Sequence, residues 1–205
     1  MPISDTLISS AIKGYLASVG FSGRDMGQIA DAVGRAIFIH LSTPDITTAS
    51  IAGTVGPVGS VNSLAVAGIV PTVMSGFIKA KGAQNGFSGR DMTKLADAVS
   101  NGVSQVLMTM ILSGSAVGIA IGAGTAKFVG LDSNVLGGLI KAQLAGLGFT
   151  GRDMVKLADM VATGVVTHLQ TSATFSVIAT GAIAPVPPVG PLAIAGIPTI
   201  FSQIS

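Results

Sequence analysis

The chain contains no cysteine, no tryptophan and no glutamate, and a single tyrosine, Tyr15. Without cysteine there are no disulfides and no thiolate metal sites, and the redox compartment stays open. All nine acids are aspartates, set against eleven lysines and arginines in 205 residues. Charged residues make up 10% of the chain, where about 25% is usual. The net charge of +2 is small. The basic residues are scattered and no aromatics interleave them, which argues against a nucleic-acid surface. So little charge gives a soluble monomer poor protection against association. The surface is therefore expected to be covered by copies of the chain or by other proteins. Asp5 comes early and no basic region precedes an apolar core, so the start does not read as a secretory signal.

What the chain does have is a seven-residue motif written three times. It runs Gly20-Phe21-Ser22-Gly23-Arg24-Asp25-Met26, then Gly86-Phe87-Ser88-Gly89-Arg90-Asp91-Met92, then Gly148-Phe149-Thr150-Gly151-Arg152-Asp153-Met154. The starts at 20, 86 and 148 set offsets of 66 and 62 residues, an internal triplicate. The motif reads as a helix start. Ser22, Ser88 and Thr150 suit an N-cap. Asp25, Asp91 and Asp153 three residues later suit a short-armed capping box and the positive end of the helix dipole. Phe21, Phe87 and Phe149 before the cap pair with Met26, Met92 and Met154 as a hydrophobic staple. Gly20, Gly86 and Gly148 end a preceding helix in the left-handed conformation. Every residue thus has a local structural role, and the repeated Arg-Asp needs no ligand to explain it.

A first helix precedes each motif, with Leu7, Ile8, Ala11, Ile12, Tyr15, Leu16 and Val19 at helical spacing in repeat one and counterparts beginning near Thr72 and Ser133. Lys13, Lys79 and Lys141 hold one position in all copies and read as the solvated flank of an amphipathic helix. A second helix follows the motif, with the stripe Met26, Ile29, Ala30, Val33 and Ile37 and its equivalents. Asp31, Asp97 and Asp159 lie off that stripe, and Lys94–Asp97 and Lys156–Asp159 are placed for weak i, i+3 pairing. His40 and His168 are equivalent to Val106. A position that takes His or Val suits a partly buried helix end better than a metal ligand.

The tracts after the second helices are apolar, Gly-rich and alternate with period two. They predict an α+β chain of three tandem repeats, each a capped two-helix hairpin followed by an apolar β-hairpin or extended arm. The expected divisions are 1–70, 71–132 with a shortened arm, and 133–205 with a proline-rich arm. Candidate interface residues on these arms are Ile51, Val55, Leu64, Val66, Val117, Ile119, Ile121, Phe175, Val177, Leu192 and Ile194. In repeat two, Lys127 to Ser133 is expected to replace part of the second arm. Gly122 to Lys127 lacks the spacing of a phosphate loop and reads as a turn. An isolated apolar hairpin is marginal in water, so the arms are expected to find partners, which predicts a homo-oligomer.

No catalytic constellation, cofactor motif or metal-ligand spacing emerges, and the chain reads as non-enzymatic. The competing expectation is a membrane-associated or pore-forming protein, because Val103 to Ala126 and Met160 to Ser205 carry no formal charge apart from His168. Glycine interruptions, proline and the absence of anchoring Trp or Tyr from these tracts count against a simple helical span. The Gly-Phe-Ser/Thr-Gly-Arg-Asp-Met corners, the Leu-Ala-Asp-Ala/Met-Val helices after them and the low-charge tracts together resemble repeat-built structural proteins of tailed bacteriophage particles. The resemblance implies a multi-copy virion protein of the head shell, neck or tail, whose partners are itself and other virion proteins.

Overall fold

The computed structural model describes the chain except residues 1–3, 21–22, 43–46, 56–59, 87–88, 119–120, 150, 172–174, 181–191, 194–198 and 201–205. Along most strand positions it describes the backbone alone. Among the described residues the elements run α1 (Asp5–Ser18), α2 (Arg24–Leu41), β1 (Thr47–Val55), β2 (Ser60–Ala67), α3 (Pro71–Gln84), α4 (Arg90–Thr109), β3 (Ile111–Gly118) and β4 (Ile121–Val129). They continue as α5 (Ser133–Gly146), α6 (Arg152–Thr171), β5 (Phe175–Thr180), β6 (Leu192–Ala193) and β7 (Thr199–Ile200).

The expected α+β chain of three hairpin-bearing repeats is overturned. Among the residues described with their side chains, 79% are helical and strand is confined to two short pieces. Among the described residues, all buried apolar side chains except Val66, Ile69, Ala126, Phe128 and Leu131 sit on the helices. The core is therefore a helical body, for which helix periodicity and burial are the dominant source of stability. Nor do the strands form three separate arms. They pair edge to edge, antiparallel, in the order β5-β4-β3-β2-β1-β6, with β7 also on β1. β2 on β3 ties repeat one to repeat two, with a register shift between Val61 and Leu64, and β4 on β5 ties repeat two to repeat three. An edge strand left alone exposes unpaired backbone groups, so pairing across repeats satisfies what isolated hairpins could not. β4 runs unbroken from Ile121 to Val129. Gly122 to Lys127 is thus strand rather than turn, and repeat two's second arm is not shortened at Lys127.

The helices form a closed ring in which each packs on the next and α6 packs back on α1. The odd helices bury a narrow stripe: Ile8, Ile12 and Leu16 in α1, with Met74 and Ile78 in α3 and Leu136, Ile140 and Leu144 in α5. Spacings of four keep these residues on one face. The even helices bury the broader stripe expected of them, Ile29, Ala30, Val33 and Ile37 in α2 with equivalents in α4 and α6. Each buried Ile or Leu contributes roughly 1.5–3 kcal/mol. All three repeats feed one core cluster.

Closing a six-membered ring of helices requires close approach at the joints between repeats. At Gly164 an added Cβ would come within 2.8 Å of the Ile12 backbone across the α6–α1 joint. At the equivalent Gly102 the tight contact is the Ile140 side chain at 2.7 Å, with backbone no nearer than 3.3 Å. Repeat one carries Ala36 there, fully buried. A side chain can turn aside, whereas a helix backbone must translate.

The corner differs from its expected cap. The N-cap of α2 is Gly23 at φ 138° and ψ 164°, and that of α4 is Gly89 at φ 130° and ψ 174°, neither with a side-chain cap bond. The cap thus falls one residue later than the serine, and Asp25 and Asp91 occupy the second helical position instead of completing a box. This backbone region is essentially restricted to glycine, which explains why the motif carries its second glycine. The first glycine behaves as expected. Gly20, Gly86 and Gly148 have φ of 85°, 87° and 84°. At the third corner Gly148 N–H donates to Ala145 O and Phe149 N–H to Leu144 O, the paired bonds of a Schellman ending.

Two outcomes follow. Gly89→Ala, measured by denaturant unfolding, is expected to cost about 1–3 kcal/mol from backbone strain. Gly164→Ala is expected to destabilise by about 1–3 kcal/mol through overpacking, offset by up to about 1 kcal/mol of helix propensity, and to cost more than Gly102→Ala in the same assay.

Candidate interaction surface

The ring has two unlike ends. The three corners lie at one end, where Arg24, Arg90 and Arg152 are exposed beside exposed Asp25, Asp91 and Asp153. These aspartates occupy the first turns of α2, α4 and α6, where they complement the helix dipoles. Met26, Met92, Met154 and Phe149 are partly buried against the core. Phe149 and Met154 both line one small apolar hollow of about 220 Å3 at the third corner. Phe21, Ser22, Phe87, Ser88 and Thr150 lie outside the described residues. Lys94 does not use Asp97. Its Nζ donates to Leu147 O at 2.7 Å and stands 5.1 Å from the centre of the Phe149 ring. A cation there meets the carbonyl end of α5 and ties repeat two to the corner of repeat three.

Between the ends, each repeat carries one Lys–Asp pair joining its own two helices: Lys13–Asp31 at 2.7 Å, Lys79–Asp97 at 2.7 Å and Lys141–Asp159 at 2.5 Å. The recurrent lysine and the recurrent aspartate, separate features in the sequence, are partners. At Asp97, burial alone would raise the carboxyl, but the hydrogen bonds from Lys79 and Ser75 and the lysine charge outweigh it and hold it below the ordinary carboxylate range. All three pairs are more than a third exposed on both sides. They therefore contribute little beside apolar burial, about 0–1 kcal/mol each, and serve chiefly to set the register of the two helices.

The two histidines perform a task that the sequence did not disclose. His40, at the end of α2, accepts the N–H of Val70 on Nε2 at 3.0 Å. His168, at the end of α6, accepts the N–H of Ser4 on Nε2 at 3.4 Å. Val70 and Ser4 are the N-caps of α3 and α1, and neither makes a side-chain cap bond of its own. Each histidine thus caps the helix of the following repeat, and His168 does so across the closing joint. At the remaining joint the N-cap of α5 is Asp132, whose carboxylate accepts Asn134 N–H at 2.7 Å. That helix start thus has a side-chain cap of its own, on the N–H two residues further on, and Val106 stands where the other joints have His. The exchange of His for Val, matched by the exchange of Ser or Val for Asp, was the signal available in the aligned repeats. Among the described residues no cluster of His and Asp is placed to hold a metal ion.

Among the described residues seven large hydrophobic side chains are exposed, and six of them, Leu7, Val70, Val73, Met108, Val129 and Val135, lie where the helices meet the strands. Leu7, Val73 and Val135 are one position in the three repeats, on the first turns of α1, α3 and α5, and are 38%, 42% and 51% exposed. Of the arm candidates, Val66 is buried against the helices, so it belongs to the core and not to an interface. Ile51 and Val55 lie on β1, Leu64 on β2, Val117 on β3, Ile121 on β4, Phe175 and Val177 on β5 and Leu192 on β6. Ile119 and Ile194 lie outside the described residues. The apolar rim was missed because Leu7 and its equivalents sit within the helical pattern that predicts burial. No described helix is long and apolar enough to cross a membrane.

The His168 cap predicts an acid-sensitive fold. Burial pushes the His168 imidazole below its ordinary value, and Nε2 can accept an N–H only when it is unprotonated. The folded pKa is the lower one, so this stabilisation is fully present above the unfolded value near 6.5 and is lost as pH falls below it toward the folded value. The Tm is expected to fall on acidification through this window. His168→Val is expected to flatten that slope while lowering stability at pH 8 by about 1–3 kcal/mol, since the Ser4 N–H loses its acceptor.

Comparison with known proteins adds nothing to this geometry: no family model, no curated protein and no solved structure matches the chain.

Proposed function

We propose that this chain is a non-enzymatic structural assembly protein, present in many copies, that binds neighbouring copies through the apolar rim where its helices meet its sheet. The observation that carries this reading is the exposure of Leu7, Val73 and Val135, one apolar position presented three times around a closed ring. Scattered exposed hydrophobics are ordinary. Their concentration at one end of a charge-poor molecule is what marks an interaction surface. Fully burying one Leu or Val contributes at most about 1.5–3 kcal/mol, less than the roughly 4–15 kcal/mol that association costs. The three equivalent positions with Val70, Met108 and Val129 together reach that scale.

The setting that suits such a protein is a particle built from repeated copies, and the repeat style points to a bacteriophage virion, in head shell, neck or tail, in contact with itself and other virion proteins. The variant Leu7→Asp/Val73→Asp/Val135→Asp tests the reading by light scattering in detergent-free buffer, with and without lipid vesicles. The native chain is expected as a discrete oligomer that ignores vesicles, and the variant as a monomer with unchanged helical circular dichroism. A native monomer, or a native chain that sediments with vesicles, would overturn it.

A further inference from the structure

Each even helix packs between two odd helices, and the residues at these three equivalent places have diverged. The groove over α2, between α1 and α3, encloses about 550 Å3, within the usual range of sites for small organic ligands. Its floor carries Arg35 and Ile39, and the α3 wall carries Phe77, Ala80 and Lys81. At the offsets of 66 and 62, the position of Arg35 is Asn101 over α4 and Thr163 over α6. The position of Lys81 is Gln143 on α5 and Tyr15 on α1. Between α1 and α6 the Tyr15 hydroxyl lies 3.4 Å from Thr167 Oγ1, so the two helices bond to each other there. Only the place over α2 has cations at both positions.

Those cations are not used up by the fold. Arg35 Nη1 donates to Asp5 Oδ2 at 2.7 Å and the guanidinium stands 5.8 Å from the centre of the Phe38 ring, which fixes its orientation. A guanidinium has five N–H donors, so others remain for a ligand. Asp31, the other acid of the groove, is paired with Lys13. The Lys81 Nζ has no hydrogen-bond or ion-pair partner among the described residues, although the residue is half-buried beside Phe77 and Ala80. The groove therefore offers one unpaired cation, an oriented guanidinium and an apolar wall of Ile39, Phe77 and Ala80.

We propose that this groove is a binding site for a small organic carboxylate with an apolar body. The carboxylate takes hydrogen bonds from Lys81 Nζ and from the free donors of Arg35, and the apolar body lies on Ile39, Phe77 and Ala80. Charge-assisted bonds orient the acid, and burial of the apolar part supplies the affinity that an exposed ion pair lacks.

Isothermal titration of the full chain with N-acetyl-leucine, its neutral amide and inorganic phosphate tests the site. The acid is expected to bind with one site per chain, and both the amide and phosphate about tenfold or more weaker, a difference of about 1.4 kcal/mol. Lys81→Met is expected to weaken the acid by about tenfold or more with unchanged circular dichroism, and Lys127→Met, on β4, to leave it unaltered. Because Lys81→Met could act through the fold, the native chain also serves alone. Amide binding as tight as acid binding, phosphate binding as tight as either, or no heat with the acid would each overturn the proposal.

Discussion

Everything in this molecule depends on the joint between α6 and α1. A row of three helical hairpins would leave two apolar stripes exposed at its ends, and bringing Gly164 onto the backbone of Ile12 buries both at once. The strands repeat the same logic, because β1 of the first repeat takes β6 and β7 from the last part of the chain. His168 reinforces the closure by accepting the Ser4 N–H beside it. Burial supplies the free energy, at roughly 1.5–3 kcal/mol per large side chain. The Lys–Asp pairs and histidine caps add specificity of register at much smaller scale.

Closure also accounts for the polarity of the surface. The alternation of corner and sheet puts every helix–helix turn at one end and every helix–strand junction at the other. Arginine and aspartate from the motif are thereby gathered at the first end. The first turns of the odd helices are gathered at the second, so Leu7, Val73 and Val135 become a threefold apolar feature without being close in sequence. The same threefold frame makes divergence visible. Arg35 and Lys81 stand out because Asn101, Thr163, Gln143 and Tyr15 show what the frame alone requires at those positions.

Much of the helical body was legible in the chain. The 3.6-residue periodicity located both helices of each repeat, and Gly20, Gly86 and Gly148 were readable as left-handed helix ends. The cap was misplaced by one residue because serine is so strong an N-cap former that it masks the alternative. The conformation at Gly23 and Gly89 is an extended one with positive φ, which no propensity scale distinguishes from an ordinary turn glycine. The arms were misjudged for a different reason. Period-two texture reports that a segment is extended but is silent on which edge it pairs with, so three self-contained hairpins and one shared sheet look alike in sequence. Lys127 suggested a truncated arm, yet an exposed lysine sits without cost on the open face of β4.

By itself the sequence determined the local structure: the triplication, the helices and their buried stripes, and the glycine that ends each first helix. Local rules suffice for these because periodicity, capping and side-chain volume act within one or two turns of chain. The tertiary structure decided what depends on residues far apart in sequence. It made Lys13, Lys79 and Lys141 the partners of Asp31, Asp97 and Asp159, gave His40 and His168 the helix starts of the next repeat, and moved Val66 from a presumed interface into the core. It also joined the strands into one sheet and brought Arg35 and Lys81 to a single groove. Those outcomes rest on ring closure, which fixes distances between repeats that no local preference encodes.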